Sequence, residues 1–322
     1  MVKIALAGGS GDVAQEIFDV LVATKKHEIL ILSRKDAPAA GSPALPAGVS
    51  WVKADYGDVG QLAQVLRGVN TVLSFVTSGT TDDGKTNVQK NLIDASIQAG
   101  VKRFAPSEWA TSGFKHLAWY SHKAESREYL AAVNRDRKVL EYTLFQPGLF
   151  LNYFTGPYAT AKHLHVIQTP VDFAARRAIL VEGRDDASLT LTTVQDLAGV
   201  VARAIDYEGE WPVVGGIKGA QVELRELIAL GEKIRGGPFQ VEHAKVADLE
   251  QGKWSTTWTP KIVHASLPAD QADAVSAVIS AGILLAISAG SWTVSDEWNR
   301  LLPDYTFTQP AEFLAKAWEG KP

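Results

Sequence analysis

Within its first seventeen residues the chain spells an apolar strand, a glycine turn and a helix start: Met1-Val-Lys-Ile-Ala-Leu-Ala-Gly-Gly-Ser-Gly-Asp-Val-Ala-Gln-Glu-Ile17. Gly9-x-Gly11-x-x-Ala14 fits one phosphate-loop spacing, and Gly8-x-x-Gly11-x-x-Ala14 fits a related one. Glycines turn the chain sharply and let its backbone approach a pyrophosphate with no Cβ between them. A helix opening near residue 11 offers free N–H groups and its positive dipole end to the phosphates. Ala14 keeps that helix close to the strand, and Ile17, Val20 and Leu21 give it an apolar face. Gly8, Ser10, Gly11, Asp12 and Val13 are therefore the expected contacts of a dinucleotide.

The rhythm that follows fits this opening. Short apolar runs at Lys3–Ala7, Ile29–Ser33, Ser50–Lys53, Thr71–Phe75, Lys102–Ala105 and Glu141–Phe145 read as strands. Helical patterns such as Val59–Leu66 and Val88–Ala99 lie between most of them. This predicts an α/β fold, a doubly wound parallel sheet of the Rossmann type. Asp36–Gly48, rich in Pro, Ala and Gly, reads as a surface loop.

After Phe150 the rhythm breaks. Thr193–Ile205, Val222–Ile234, Asp270–Leu285 and Ala311–Trp318 read as helices, and Ala178–Val181 and Trp211–Val214 as brief strands. The expected division is a cofactor-binding domain over residues 1–150 and a smaller, mostly helical substrate-binding region over 151–322. Some elements of the second part are expected to return to the main sheet.

Composition narrows the function by exclusion. A net charge of −4 argues against a nucleic-acid surface or an acidic membrane as partner. With no cysteine, disulfides, thiol catalysis and thiolate metal sites are excluded, which suits a cytoplasmic enzyme. No signal peptide is read, and the uncharged stretch Ala274–Gly290, diluted by serines and glycines, reads as a buried helix or subunit contact. His163 and His165 alternate along a possible strand but have no third ligand nearby, so no metal site is expected. Gly-x-Ser-x-Gly is absent, and with it a nucleophile elbow.

The residue ending the second strand faces the adenosine ribose in such folds. An acidic group there bonds a 2′-hydroxyl, whereas arginine accommodates a 2′-phosphate. Here the strand ends Ser33-Arg34-Lys35, which points to NADPH, with Asp36 close by. Asp55 and Tyr56 sit where an adenine edge is bonded, and Ser74, Phe75 and Val76 end the fourth strand against the middle of the cofactor.

Pro106-Ser107-Glu108-Trp109 follows the fifth strand at the carboxyl edge, where doubly wound sheets bind ligands. Downstream, on a helix expected to start near His116, Tyr120 and Lys123 lie three apart and share a face. A lysine there binds a ribose and depresses a neighbouring pKa, or exchanges a proton itself once buried. Glu108 is a candidate to orient Lys123 or to act as an acid, and Tyr120 a weaker candidate acid because common short-chain reductases space the pair four apart.

The run Val101-Lys-Arg-Phe-Ala-Pro-Ser-Glu-Trp109, then Lys123, then Tyr142-Thr-Leu-Phe-Gln-Pro-Gly-Leu-Phe150, resembles the NmrA-like and isoflavone-reductase-like family of atypical short-chain dehydrogenases, fungal members above all. The glycine loop, Arg34, Gln89 ahead of Leu92-Ile93-Asp94, and the tail Ser295-Asp-Glu-Trp-Asn-Arg300 match too, so the resemblance spans nearly the whole chain. It implies an NADPH-bound reductase of phenolic or other aromatic small molecules, a monomer or homodimer, with Lys123 as catalytic residue. The chain departs from the family at Trp109, where phenylalanine is usual, and in the His116, Trp119 and Tyr120 side chains crowding the lysine helix. On this reading Gln146 and Pro147 pass under the nicotinamide and Phe150 stacks against it. Trp109, Phe114, Tyr153, Phe154 and Tyr158 are the expected aromatic wall for a flat substrate. Two other uses stay open: a dinucleotide-sensing regulator of a protein partner, and a non-redox cyclase-type enzyme that keeps the cofactor as structure.

Overall fold

The computed structural model describes residues 1–37, 44–76, 87–261 and 272–322. Its first half is the expected alternation. Strands β1 (Lys3–Ala7), β2 (Glu28–Ser33), β3 (Val49–Lys53), β4 (Thr71–Ser74), β5 (Arg103–Ala105) and β6 (Glu141–Tyr142) form one sheet in the order β3-β2-β1-β4-β5-β6. All neighbouring pairs are parallel. Helices α1 (Asp12–Thr24), α2 (Val59–Val65), α3 (Val88–Ala99) and α4 (Ser121–Val133) make the connections.

Alternation along the strands sorts side chains to two faces. Ile4, Leu6, Ile29 and Ile31 pack with Ile17 and Leu21 of α1 on one face. Ala5, Ala7, Leu30 and Leu32 pack with Leu62, Leu92 and Ile93 of α2 and α3 on the other. Nearly every one of these side chains is sealed from solvent, which is why the strands read as continuous apolar runs. The strand order reverses between β1 and β4, and a ligand crevice opens at such a point.

The second half threads back through the first. Beyond Thr143 the chain resumes as β7 (Leu144–Gln146), which pairs in parallel with β12 (Val214–Gly216). That strand begins where the expected Trp211–Val214 strand ends, because Trp211 is buried and its Nε1 donates to the Ala204 carbonyl at 2.8 Å. Helix α5 (Val194–Asp206) lays Val194, Leu197, Val200 and Val201 into the cluster that holds α1.

Two further three-stranded sheets complete the fold. One comprises β8 (Leu149–Phe150), β11 (Ser188–Thr192) and β13 (Ala220–Glu223); the other comprises β9 (Val171–Asp172), β10 (Arg177–Val181) and β14 (Gln240–Ala244). Around them lie α6 (Leu224–Arg235), α7 (Val246–Glu250), α8 (Ala272–Ser288), α9 (Glu297–Leu301) and α10 (Pro310–Trp318). Residues 38–43 of the Asp36–Gly48 stretch and the start of the expected Asp270–Leu285 helix lie outside the described residues. The uncharged stretch is α8, whose Ile283, Leu284, Leu285 and Ile287 are buried between two apolar clusters. Among the described residues no helix is long and apolar enough to cross a membrane.

Candidate active site

Gly8 leaves β1 with φ +75°, a conformation that glycine adopts without strain. A Cβ there would lie 3.1 Å from the Phe75 carbonyl carbon, so the loop rides directly on the end of β4. Its N–H donates to the Leu32 carbonyl at 2.9 Å and lies 3.0 Å from the Tyr56 hydroxyl. That hydroxyl in turn donates to Leu32 at 3.1 Å. Burial pushes the Tyr56 phenol up to about 12, so it stays a neutral peg for the loop.

Gly11 is the N-cap of α1 with no side-chain cap, and Ser10, Gly11 and Asp12 are exposed. The helix therefore opens with donors unclaimed by side chains, while the Asp12 carboxylate is drawn aside to the His165 N–H at 3.2 Å. Segment 162–165 is not a strand but an irregular strap on α1. Glu16 accepts the N–H groups of His163 and Leu164, and Asp19 pairs with Lys162 and His163. Of the two histidines, the His163 ring turns to Asp19 on α1, while the exposed His165 gives α1 only its backbone N–H.

Arg34 and Lys35 are exposed at the end of β2, and Arg34 makes no ion pair among the described residues. Asp36 turns to Lys53 at 2.8 Å instead. Asp55 caps its own turn, accepting the Gly57 N–H at 2.8 Å. At the end of β4, Ser74 is fully buried and its hydroxyl donates to Gln89 Oε1 at 3.0 Å. Gln89 Nε2 and, at the end of β7, Gln146 Oε1 are buried without a partner among the described residues. A loop with no Cβ at Gly8, Gly9 and Gly11, an open helix start and an arginine unpaired among the described residues fit a dinucleotide phosphate.

The loop after β5 is built differently. Trp109 holds φ +50°, a left-handed conformation that costs a side-chain-bearing residue about 1–2 kcal/mol. The indole offsets that cost by stacking between Phe75 and Phe145, with centroids at 4.6 and 5.4 Å, and by donating Nε1 to the Ser74 carbonyl at 2.7 Å. Trp109 is therefore a strut of the sheet edge rather than an open wall.

Glu108, 1% exposed, gives its carboxylate to Arg127: Nε meets Oε1 at 3.0 Å and Nη2 meets Oε2 at 2.6 Å. Its backbone carbonyl accepts from Lys123 Nζ. Lys123 Nζ thus meets the main chain of Glu108, while the buried carboxylate is held by Arg127. Lys123 itself is 8% exposed, and burial depresses its ammonium to about 8. Tyr120 sits on a single turn of 3-10 helix before α4, which starts at Ser121 and not near His116, because Ala118–Tyr120 winds more tightly. Its ring lies 4.4 Å from Lys123 Nζ, and burial raises its phenol. Burial and the Lys123 charge hold the neighbouring His122 down to about 4.

The remaining aromatic candidates separate. Phe114 lies edge-on to Tyr120 at 6.0 Å, and Phe150 meets Tyr153 at 5.7 Å. Burial raises the Tyr153 phenol, and the Tyr120 and Asp12 groups add to the shift. Phe154 instead packs on Phe173 at 6.0 Å, and Tyr158 on Trp318 at 5.4 Å. Phe154 belongs to the core beside the C-terminal helix and Tyr158, half-buried, packs against it, since side-chain type alone does not separate a pocket wall from a core. Pro147 is buried in the turn between β7 and β8. Arg127 escaped the sequence reading, although its spacing of four from Lys123 placed it one helical turn away on the same face.

A family model described as the NmrA-like family matches residues 2–282. The chain belongs to the NmrA-like family. Among curated relatives of this NmrA-like chain, oxidoreductase BOA1 of Botryotinia fuckeliana is 27% identical over 325 residues, spanning 97% of this chain and 100% of that protein. The fold is shared with solved structures. An NADPH-dependent quinone oxidoreductase from Escherichia coli superposes with a TM-score of 0.67 at 22% identity, over 97% of this chain and 98% of that one. AtPrR2 with NADP+ and (+)pinoresinol superposes with a TM-score of 0.67 at 18% identity, over 98% of both chains.

Proposed function

We propose that this chain is an NADPH-dependent oxidoreductase that reduces an aromatic or phenolic small molecule, with Lys123 handling the proton. The observation that carries the reading is a buried lysine depressed to about 8, on the same sheet edge as an open glycine loop. Its enzymatic side is supported by a relative, matched over its full length, that is named as an oxidoreductase. When bound, the reduced nicotinamide supplies the hydride.

The chain's own groups do the rest. Gly8 and the start of α1 hold phosphate, and Arg34 accepts a 2′-phosphate. At neutral pH roughly a tenth of a lysine with that pKa is unprotonated, so Lys123 Nζ can give or take a proton at a substrate oxygen. The Tyr120 and Tyr153 phenols, both raised, stay neutral and offer hydrogen bonds rather than charge.

The test is to mix purified protein with NADPH and a panel of quinones, aromatic carbonyls and phenolic ethers, following the reduced-nicotinamide absorbance. Wild type should oxidise NADPH with at least one class. Lys123→Met should lose about 100-fold or more of that turnover while cofactor fluorescence still titrates. Tight binding with no oxidation by any compound would overturn the reading in favour of a sensor or a non-redox enzyme.

A further inference from the structure

Lys123 and Arg127 stand one turn apart on α4, and both reach back to the same residue, Glu108, by different routes. The guanidinium takes both carboxylate oxygens in a side-on fork. Its other contacts pin the loop further along, with Nη1 donating to the Ser112 carbonyl at 2.8 Å and Nη2 to the Thr111 carbonyl at 3.1 Å. Phe114 lies beneath it, 4.0 Å from the ring centroid to Cζ. Lys123 is left with the Glu108 main-chain carbonyl, a dipole rather than a counter-ion.

We propose that Arg127 is a positioning residue that captures the Glu108 carboxylate and so denies Lys123 a salt-bridge partner. The planar fork suits this task. Two parallel N–H···O bonds commit both oxygens at once, where an ammonium would engage the carboxylate as a point charge and leave it free to share.

The charged and titratable groups acting on Lys123 come from three elements. Glu108, on the loop after β5, raises its pKa; Arg127, on α4, lowers it; and His122, also on α4, is held neutral beside it. Tyr120 faces it from the 3-10 turn as a neutral ring. Removing Arg127 therefore acts twice in one direction: a repelling cation disappears, and a carboxylate is released toward the ammonium. Both favour the charged lysine.

The inference takes its significance from the proposed reduction, but its test needs no substrate, so the two fail separately. The full-length protein is acetylated with trace acetic anhydride across pH 6–11, and the reaction at each lysine is read by mass spectrometry. In wild type Lys123 should titrate near pH 8. In Arg127→Met the inflection should move up by about one pH unit or more, a tenfold lower neutral fraction at pH 7. In Glu108→Gln it should move down. In the double variant, with neither charge, it should lie between the two single variants. A purely structural Arg127 would change how fast Lys123 reacts when fully neutral, but not the pH at which it becomes neutral. Should Arg127→Met fail to fold, Arg127→Lys carries the test, with a smaller upward shift expected. An inflection unmoved in the Arg127 variant that folds overturns the proposal.

Discussion

On the crevice edge of the sheet, the loop after β1 and the loop after β5 are separated by one strand, β4, yet they treat polar groups in opposite ways. On the glycine side Ser10, Gly11, Asp12 and Arg34 are exposed, and the helix start carries no side-chain cap. On the lysine side Glu108 and Lys123 are buried, and their charged atoms have internal partners. A surface that receives an already charged ligand needs donors left free. A group whose own pKa must move needs water removed, and every companion it takes into the interior must then be satisfied. One half of the site is therefore written in backbone and solvent, the other in packing.

The sharpest way to break this contrast is to disturb the lysine side through its packing. Gly148 sits between β7 and β8 at φ +74°, donates its N–H to the Ala110 carbonyl, and leaves 2.4 Å between an added Cβ and the Thr190 carbonyl oxygen. Gly148→Ala should cost about 2–5 kcal/mol in denaturant unfolding, from left-handed strain plus overpacking. A loss below about 1 kcal/mol would show that this side yields as readily as the other.

Next in size is the stability withheld by Lys123. Its folded pKa of about 8 lies below its ordinary 10.5, so the unfolded chain binds the proton more tightly. Wild-type stability should then rise with pH between those values, and below pH 8 the buried ammonium should cost about 3 kcal/mol. Lys123→Met should be the more stable protein at pH 7, with the gap closing toward pH 10.5. A gap that is constant with pH would contradict the assignment.

Smallest for the fold is Arg34→Ala, which should leave unfolding within about 0.5 kcal/mol of wild type. It should nevertheless weaken NADPH by roughly ten- to hundredfold, and NADH hardly at all, as judged by fluorescence titration. Equal weakening of the two would remove the 2′-phosphate assignment.

The contrast also explains what could be read from the sequence. The glycine loop, the strand order's ingredients and Arg34 are local signals: spacing, alternation and position at a strand end. Lys123 was legible through the family's residues. Trp109, Phe154 and Tyr158 read as a substrate wall, yet the first is a strut, the second is core and the third packs half-buried against that core, because an aromatic ring packs either way and only tertiary neighbours decide. The strand over Gln240–Ala244 gave no sign, since most of its side chains are exposed and its partner lies over sixty residues earlier. The Glu108–Arg127 fork joins a loop to a helix, and no pattern along the chain announces such a pairing.

The pairing of β7 with β12 has a consequence during synthesis. The stretch that carries the glycine loop, Arg34 and Lys123 is all made by residue 123, but β7 gains its partner only at Val214–Gly216 and the apolar cluster on α1 gains its helix only at Val194–Asp206. Trp298, stacked 5.5 Å from Phe145, arrives later still. At roughly 5–20 residues per second, several seconds separate the emergence of the binding loop from that of its supports. A nascent chain halted near residue 150 should thus expose apolar surface to chaperones, and cofactor should bind only after the C-terminal half has left the ribosome.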